Sequence, residues 1–323
     1  MAGWKLCPLV LCCLVLGVGE NASGSGRAIS GALVFDAVPN ARGAVGWQLF
    51  VANLDTGGVR RLVRIPGTVS PSWSPDGSEV AYERAVTTTA ARSGCDSPAC
   101  AQIWRVNTNG RHRRRLTSLR RRSESPDWSR SGRIAYVRWL PSAETEIETE
   151  IYTIESNGQG VRRLTNAKGA DEDPAWSPDG QKIAFDSDRD DNVGGSEDLY
   201  VMNADGSDQH KLTNTGDVSD VRAAWSPDGT RIAFWRFTAS VDSIVVINPD
   251  GTGERTLTGP REHAADPAWS PDGKWIAYTR ETDNLDSPEI WVMRADGSQK
   301  RKLVSGPFGE VTELDWTATA AAP

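Results

Sequence analysis

Apolar positions along this chain come in short runs bounded by turn residues, a pattern of strands and not of amphipathic helices. The run Lys182-Ile183-Ala184-Phe185 follows Trp176-Ser177-Pro178-Asp179-Gly180-Gln181. The same stretch returns at 225–234 and 269–278, with an earlier copy at 73–82 and a shortened one at 128–136. Its Ser-Pro-Asp-Gly tetrad predicts a tight turn: Pro presets φ, Asp hydrogen-bonds its own backbone and Gly accepts positive φ. A third strand is expected at 198–203, then the Asp205-Gly206 hairpin signal, then a fourth strand at 209–213. The hairpin signal recurs at Asn109-Gly110, Asn157-Gly158, Asp250-Gly251, Asp296-Gly297 and, weakened, Gly57-Gly58.

Successive repeat tryptophans, from Trp73 through Trp128, Trp176, Trp225 and Trp269 to Trp316, lie 55, 48, 49, 44 and 47 residues apart. Four antiparallel strands at this period are the pattern of a propeller blade. The first repeat begins oddly, because Ala32-Leu33-Val34-Phe35-Asp36 reads as a second strand with no Trp strand before it. The missing strand stands at the other end of the chain, as Glu313-Leu314-Asp315-Trp316-Thr317. The expected fold is therefore all-β: a six-bladed β-propeller of four-stranded antiparallel blades, closed by the C-terminal strand joining the N-terminal blade. Closure of this kind leaves no open sheet edge. The six tryptophans are expected as core between blades.

The repeat Asp-Pro-x-Trp-Ser-Pro-Asp-Gly, then Ile-Ala-Phe, then Tyr-Val-Met-Asn-x-Asp-Gly, then Leu-Thr, followed nearly throughout by 173–213, resembles that of the TolB-type propellers, relatives of the WD-repeat proteins in architecture. The resemblance covers about 28–317. It implies a non-enzymatic, periplasmic protein that docks a protein partner at the propeller mouth. TolB proteins carry an α/β domain before the propeller; here only about ten residues separate the leader from the first strand, so that domain is expected to be absent.

Residues 1–19 hold one Lys before an apolar run from Leu6 to Val18, which reads as a signal peptide, with retention as an anchor the alternative. Leu11 and Cys12 precede Cys12 and Cys13, where a lipoprotein signal wants a small residue. Residues 20–27 read as a linker, 28–317 as the propeller and 318–323 as a tail. The reading predicts a periplasmic or secreted monomer. Beyond the leader only Cys95 and Cys100 remain, expected to close a small disulfide in an oxidising compartment. The net charge of −7 argues against nucleic acid as a partner, although 111–122 is strongly basic. That run reads as an outer edge strand protected by charge, against an alternative of polyanion binding.

No Gly-x-Ser-x-Gly elbow occurs, and His112, His210 and His263 are the only imidazoles. The expectation is no catalytic site, no cofactor and no enzyme. Asp186, Asp188 and Asp190 alternate as a calcium loop would, but Asp191 occupies the place of its Gly; solvated loop carboxylates are the simpler reading. The better surface comes from position. Three residues before each repeat Trp stand Ser70, Ser125, Asp173, Arg222, Asp266 and Glu313, with Glu124, Asp171, Glu172, Asp217, Asp220, Glu262 and His263 close upstream. Because the Trp strand is innermost, these predict a mostly acidic ring at the channel mouth, suited to a partner segment carrying Lys, Arg or an N-terminal amine. The alternative function is a cation- or saccharide-binding propeller, as a metal-dependent lyase or lactonase. That would need a cage of His and carboxylates, and His263 is the one His expected at the mouth.

Overall fold

The computed structural model describes residues 29–39, 46–87, 99–118, 121–140, 148–190, 196–238, 241–281, 289–304, 306 and 308–318. The signal and linker segments, residues 319–323 of the tail, Cys95 and Asp191 lie outside them.

The described strands form six four-stranded antiparallel sheets. Blade 1 contains β1 (Ala32–Pro39), β2 (Gln48–Asn53) and β3 (Gly58–Val63); blade 2 contains β4 (Thr68–Trp73), β5 (Glu79–Thr87), β6 (Ala99–Asn107) and β7 (Arg114–Arg115). Blade 3 contains β8 (Ser123–Trp128), β9 (Arg133–Leu140), β10 (Glu148–Glu155) and β11 (Arg162–Arg163). Blade 4 contains β12 (Asp171–Trp176), β13 (Lys182–Ser187), β14 (Asp198–Asn203) and β15 (His210–Lys211). Blade 5 contains β16 (Ser219–Trp225), β17 (Ile232–Phe237), β18 (Asp242–Ile247) and β19 (Arg255–Thr256). Blade 6 contains β20 (Ala264–Trp269), β21 (Trp275–Arg280), β22 (Glu289–Arg294) and β23 (Arg301–Val304). The last strand, β24 (Phe308–Thr317), returns to blade 1 and pairs antiparallel with β1, Leu33 opposite Trp316 and Phe35 opposite Leu314. The ring closes as the Trp period required.

The tight turn is built as its residues dictate. In blade 4 the Ser177 hydroxyl donates to Asp179 at 2.6 Å and accepts from the Lys182 N–H at 2.9 Å, while Gly180 takes a φ of 69°. In blade 3, where Ser131 replaces that Asp, the Ser129 and Ser131 hydroxyls hydrogen-bond each other at 2.7 Å instead. These turns and the Asn/Asp-Gly hairpins share one end of the torus, since Arg133 at the first turn of blade 3 lies opposite Glu155 at the second. The chain also enters there, with Ala32 opposite both Asn53 and Thr317.

Six apolar clusters fill the spaces between neighbouring blades, and each holds one repeat tryptophan, Trp225 being partly buried and the other five buried. The aromatic of each second strand (Phe35, Tyr82, Tyr136, Phe185, Phe234 or Tyr278) is fully buried, each side chain contributing about 2–3 kcal/mol of burial. Fourth strands are mostly shorter than expected: β15 is only His210–Lys211.

Candidate binding site at the channel mouth

Each innermost strand carries an irregularity at the same place, and β24 carries a second. Register with the second strand slips between Val69 and Ser72, Glu124 and Asp127, Glu172 and Ala175, Val221 and Ala224, and Ala265 and Ala268. The residue three before the Trp takes a left-handed φ in all six blades: Ser70 51°, Ser125 45°, Asp173 41°, Arg222 55°, Asp266 52° and Glu313 47°. None is Gly, so each position stores backbone strain. Bulges re-aim side chains, and here they line a central cavity of about 410 Å³ with this residue from every blade.

Arg222 organises that ring. Its guanidinium reaches carboxylates of three other blades: Asp266 at 2.5 Å, Glu313 at 2.8 Å and Asp173 at 3.4 Å. Burial alone would lower its pKa; Asp266, Glu313 and Asp173 outweigh that and hold it well above the usual value. The acidic mouth is thus partly neutralised from within.

A second set of carboxylates surrounds the ring, and two of them, Asp36 and Glu83 at the position after the second-strand aromatic, went unread in the sequence. Asp36 and Asp186 are buried, and Glu83, Glu124 and Glu197 are half-buried. Burial, reinforced by Glu313, pushes Asp36 well up; burial and then Glu124 and Glu313 do the same for Glu83. Burial followed by Asp173 raises Glu172 to about 7, and burial followed by Glu172 raises Glu197 to about 7. Burial and then Asp173 raise Asp186. Glu124 is raised chiefly by burial, although Arg122 pairs with it and Trp139 Nε1 donates to it at 2.6 Å. The sequence signal was the recurring slot itself, Phe35-Asp36, Tyr82-Glu83 and Phe185-Asp186.

Not every expected mouth residue faces the channel ring. Asp171 is buried against Arg189 and the Ser187 hydroxyl, both at 2.6 Å. Asp220 is buried on Arg236 at 2.6 Å. Glu262 pairs with Lys300 at 2.6 Å, and His263 Nδ1 lies 3.4 Å from Asp242. These four have partners outside the Arg222 cluster, while Asp173, Arg222, Asp266 and Glu313 come together and Glu172 lies close enough to Asp173 to feel its charge. The Asp186, Asp188 and Asp190 carboxylates diverge: they accept from the Arg222 N–H at 3.2 Å, the Ala170 N–H at 2.6 Å and the Tyr200 hydroxyl respectively. Among the described residues no group of three His, Cys, Asp or Glu is disposed to hold a metal. Cys100 is buried on β6; its expected disulfide partner Cys95 lies outside the described residues.

Below the ring the channel wall is made in two ways. The residue before the Trp is Ser72, Asp127 or Asp315 in blades 2, 3 and 1. Asp315 accepts the backbone N–H of Trp73 at 2.7 Å, Ser72 that of Trp128 at 2.9 Å, and Asp127 that of Trp176 at 2.6 Å. In blades 4 and 5 that residue is Ala. There the indole N–H of the next blade donates to its carbonyl, Trp225 to Ala175 at 3.1 Å and Trp269 to Ala224 at 3.0 Å. Burial raises Asp127 to about 6 and Asp315 to about 7.

Comparison with known proteins was made against this geometry. Residues 138–320 match the family profile described as the TolB beta propeller domain. The solved TolB of Acinetobacter baumannii is 24% identical, with a TM-score of 0.70, over 92% of this chain and 69% of that one. A putative TolB of Agrobacterium tumefaciens is 18% identical, TM-score 0.62, over 90% and 99%. The oligogalacturonate lyase of Vibrio parahaemolyticus is 13% identical, TM-score 0.54, over 80% and 71%. No curated protein sequence matches the chain.

Proposed function

Because the chain belongs to the TolB β-propeller family, whose propellers are protein-interaction modules, we propose that it is a non-enzymatic, extracytoplasmic binding module that docks a protein partner at the acidic channel mouth. The observation that carries this reading is the ring itself: six strained positions aim side chains into one open cavity, and carboxylates outnumber the one central cation. Strained backbone positions cluster at functional sites. The Glu313 Oε2 atom is buried without a hydrogen-bond partner and offers an acceptor to an incoming ammonium or guanidinium group.

Charge sets the partner's chemistry. A Lys or Arg side chain or an N-terminal amine would favour the ionised forms of Glu172 and Glu197, both held at about 7. Docking then releases protons, and affinity rises with pH between 6 and 8. The test is recovery of partners from an envelope extract with wild type against Glu83→Gln/Glu172→Gln/Glu197→Gln. This variant spares the Arg222 partners, whose loss would threaten the fold. Selective loss of a partner supports the reading; equal recovery of every partner at pH 8 would sink it. The second reading, a cation- or saccharide-binding propeller with metal-dependent lyase or lactonase activity, draws on the likeness to the oligogalacturonate lyase fold. A stoichiometric transition metal in the purified protein would favour it.

A further inference from the structure

The end of the torus opposite the acidic mouth is charged unevenly. Blades 4 to 6 carry Asp at both turns, Asp179 and Asp205, Asp228 and Asp250, Asp272 and Asp296. In blade 3 the first turn reads Ser129-Arg130-Ser131-Gly132, with Arg at the Pro position and Ser at the Asp position, and Asn157 stands at the second. Blade 2 has Asn109 at its second turn, followed by a run of arginines. Arg61, Arg111, Arg113, Arg115, Arg130 and Arg162 are all exposed at or beside this end on blades 1 to 3. The sector is continuous across the blades. Arg114 donates to the Asn157 carbonyl at 2.9 Å, joining blade 2 to blade 3. The Leu62 carbonyl of blade 1 lies where a side chain on Gly110 of blade 2 would begin. The ion pairs of described residues that touch it are Arg105 with Glu79 and Arg163 with Glu150, leaving Asp55, Asp76 and Glu155 as the other turn carboxylates.

Protection of outer edge strands accounts for arginines on β3, β7 and β11. It does not account for Arg130, which sits at a turn lining the channel exit away from the outer edge strands, nor for the absence of Asp from both turns of blade 3. Two further observations select the partner. Val161, 47% exposed and next to Arg162, is the exposed large hydrophobic residue among those described. The chain enters blade 1 at this same end, with the Ser30 carbonyl accepting from Trp316 Nε1 at 3.1 Å, and the sequence upstream of it holds the apolar run Leu6–Val18.

We propose that this basic sector lies against an anionic lipid bilayer, its arginines on phospholipid headgroup phosphates, so that the acidic mouth faces away from the membrane. Guanidinium groups bind phosphate oxygens in pairs, and basic residues near an anionic surface add attraction that salt screens. The proposal concerns the opposite face from the mouth and stands or falls independently of the docking reading.

The test is co-sedimentation of the full chain with phosphatidylcholine vesicles, with and without phosphatidylglycerol. Because the apolar leader would bind both kinds, the readout is the ratio of partitioning between them. At low salt that ratio is expected to exceed about tenfold, and to fall towards one at ~0.5 M NaCl. Arg113→Ser/Arg115→Ser/Arg130→Ser should bring it down to near one, since each arginine is worth up to about fivefold, while the triple Lys variant keeps most of it with an unchanged melting temperature. A ratio near one at low salt overturns the proposal, as does a ratio unchanged in the Ser variant. Tight, salt-sensitive binding to heparin or duplex DNA without a preference for anionic vesicles also overturns it, and assigns the sector to a polymeric anion. Should the Ser variant fail to fold, the wild-type salt dependence and the Lys variant decide.

Discussion

Blades 5 and 6 join their neighbours through indoles, whereas blades 2, 3 and 4 join theirs through side-chain acceptors. In the first group Trp225 and Trp269 donate to the backbone carbonyls of Ala175 and Ala224. In the second, Asp315, Ser72 and Asp127 accept the backbone N–H of Trp73, Trp128 and Trp176. The exchange leaves the indole nitrogens of Trp73, Trp128 and Trp176 buried without partners. A buried N–H left unpaired costs roughly 1–3 kcal/mol, so the polar wall of these blades is held at an expense that the Ala wall avoids. On the same side of the ring blade 3 has no Asp at either turn, and exposed arginines gather. Departures from the repeat therefore cluster, on both faces, in blades 1 to 3, while blades 4 to 6 keep the regular form. The two halves meet at Arg222, which belongs to blade 5 yet pairs with Glu313 of blade 1.

The largest effect is expected there. Arg222→Met leaves Asp173, Asp266 and Glu313 without their counter-ion, and breaking such a partly buried cluster costs about 3–5 kcal/mol. The loss should be greatest near pH 8 and shrink towards pH 5, because burial holds the Glu313 carboxyl above its usual value and its protonation removes part of the repulsion. Urea unfolding at the two pH values measures it. Equal and small losses would mean that the ring does not depend on this clasp.

A smaller effect separates the two walls. Asp315 keeps its proton up to about 7 in the folded chain but only to its ordinary value near 3.8 when unfolded. Folding therefore takes up a proton between those values, and stability declines as pH rises through that window. Asp315→Asn keeps an acceptor for the Trp73 N–H and removes the charge. Allowing for the channel's access to solvent, the variant should gain roughly 2 kcal/mol over wild type at pH 8. At pH 4 the gain should vanish. Asp127→Asn should do the same over a narrower window, since its value is about 6. A pH-independent difference would show that these carboxylates are well solvated.

Blade count and closure were legible because turn chemistry is local: Pro, Asp and Gly specify a turn wherever they stand, and Trp316 falls on the period. The ring at Asp173, Asp266 and Glu313 was legible for the same reason, since its place relative to the Trp is fixed. What Asp171 and Asp220 do was not. Successive strand residues point to opposite sides, and the arginines that claim these two, Arg189 and Arg236, arrive from the neighbouring strand or the loop beyond it. Nor could the reach of Arg222 across the channel be read, because it joins residues of four different blades. The basic run was read as one edge strand; its continuity with Arg61, Arg130 and Arg162 exists only once three blades stand side by side.

The finest difference between the halves lies in the indoles themselves. Trp269→Phe removes a donor that serves the Ala224 carbonyl, whereas Trp73→Phe removes one that serves nothing. Both substitutions delete similar apolar volume from an inter-blade cluster, so their cavity costs largely cancel in the comparison. The remaining gap is one hydrogen bond, about 1 kcal/mol, and Trp269→Phe should be the more damaging. The pair Trp225→Phe and Trp176→Phe should repeat the order, since Trp225 donates to Ala175 and the indole of Trp176 is unpaired. Four melting curves recorded under one condition decide it. If Trp73→Phe proves as costly as Trp269→Phe, its indole N–H has a partner in the channel, and the polar wall of blades 1 to 3 holds ordered water where the Ala wall has none.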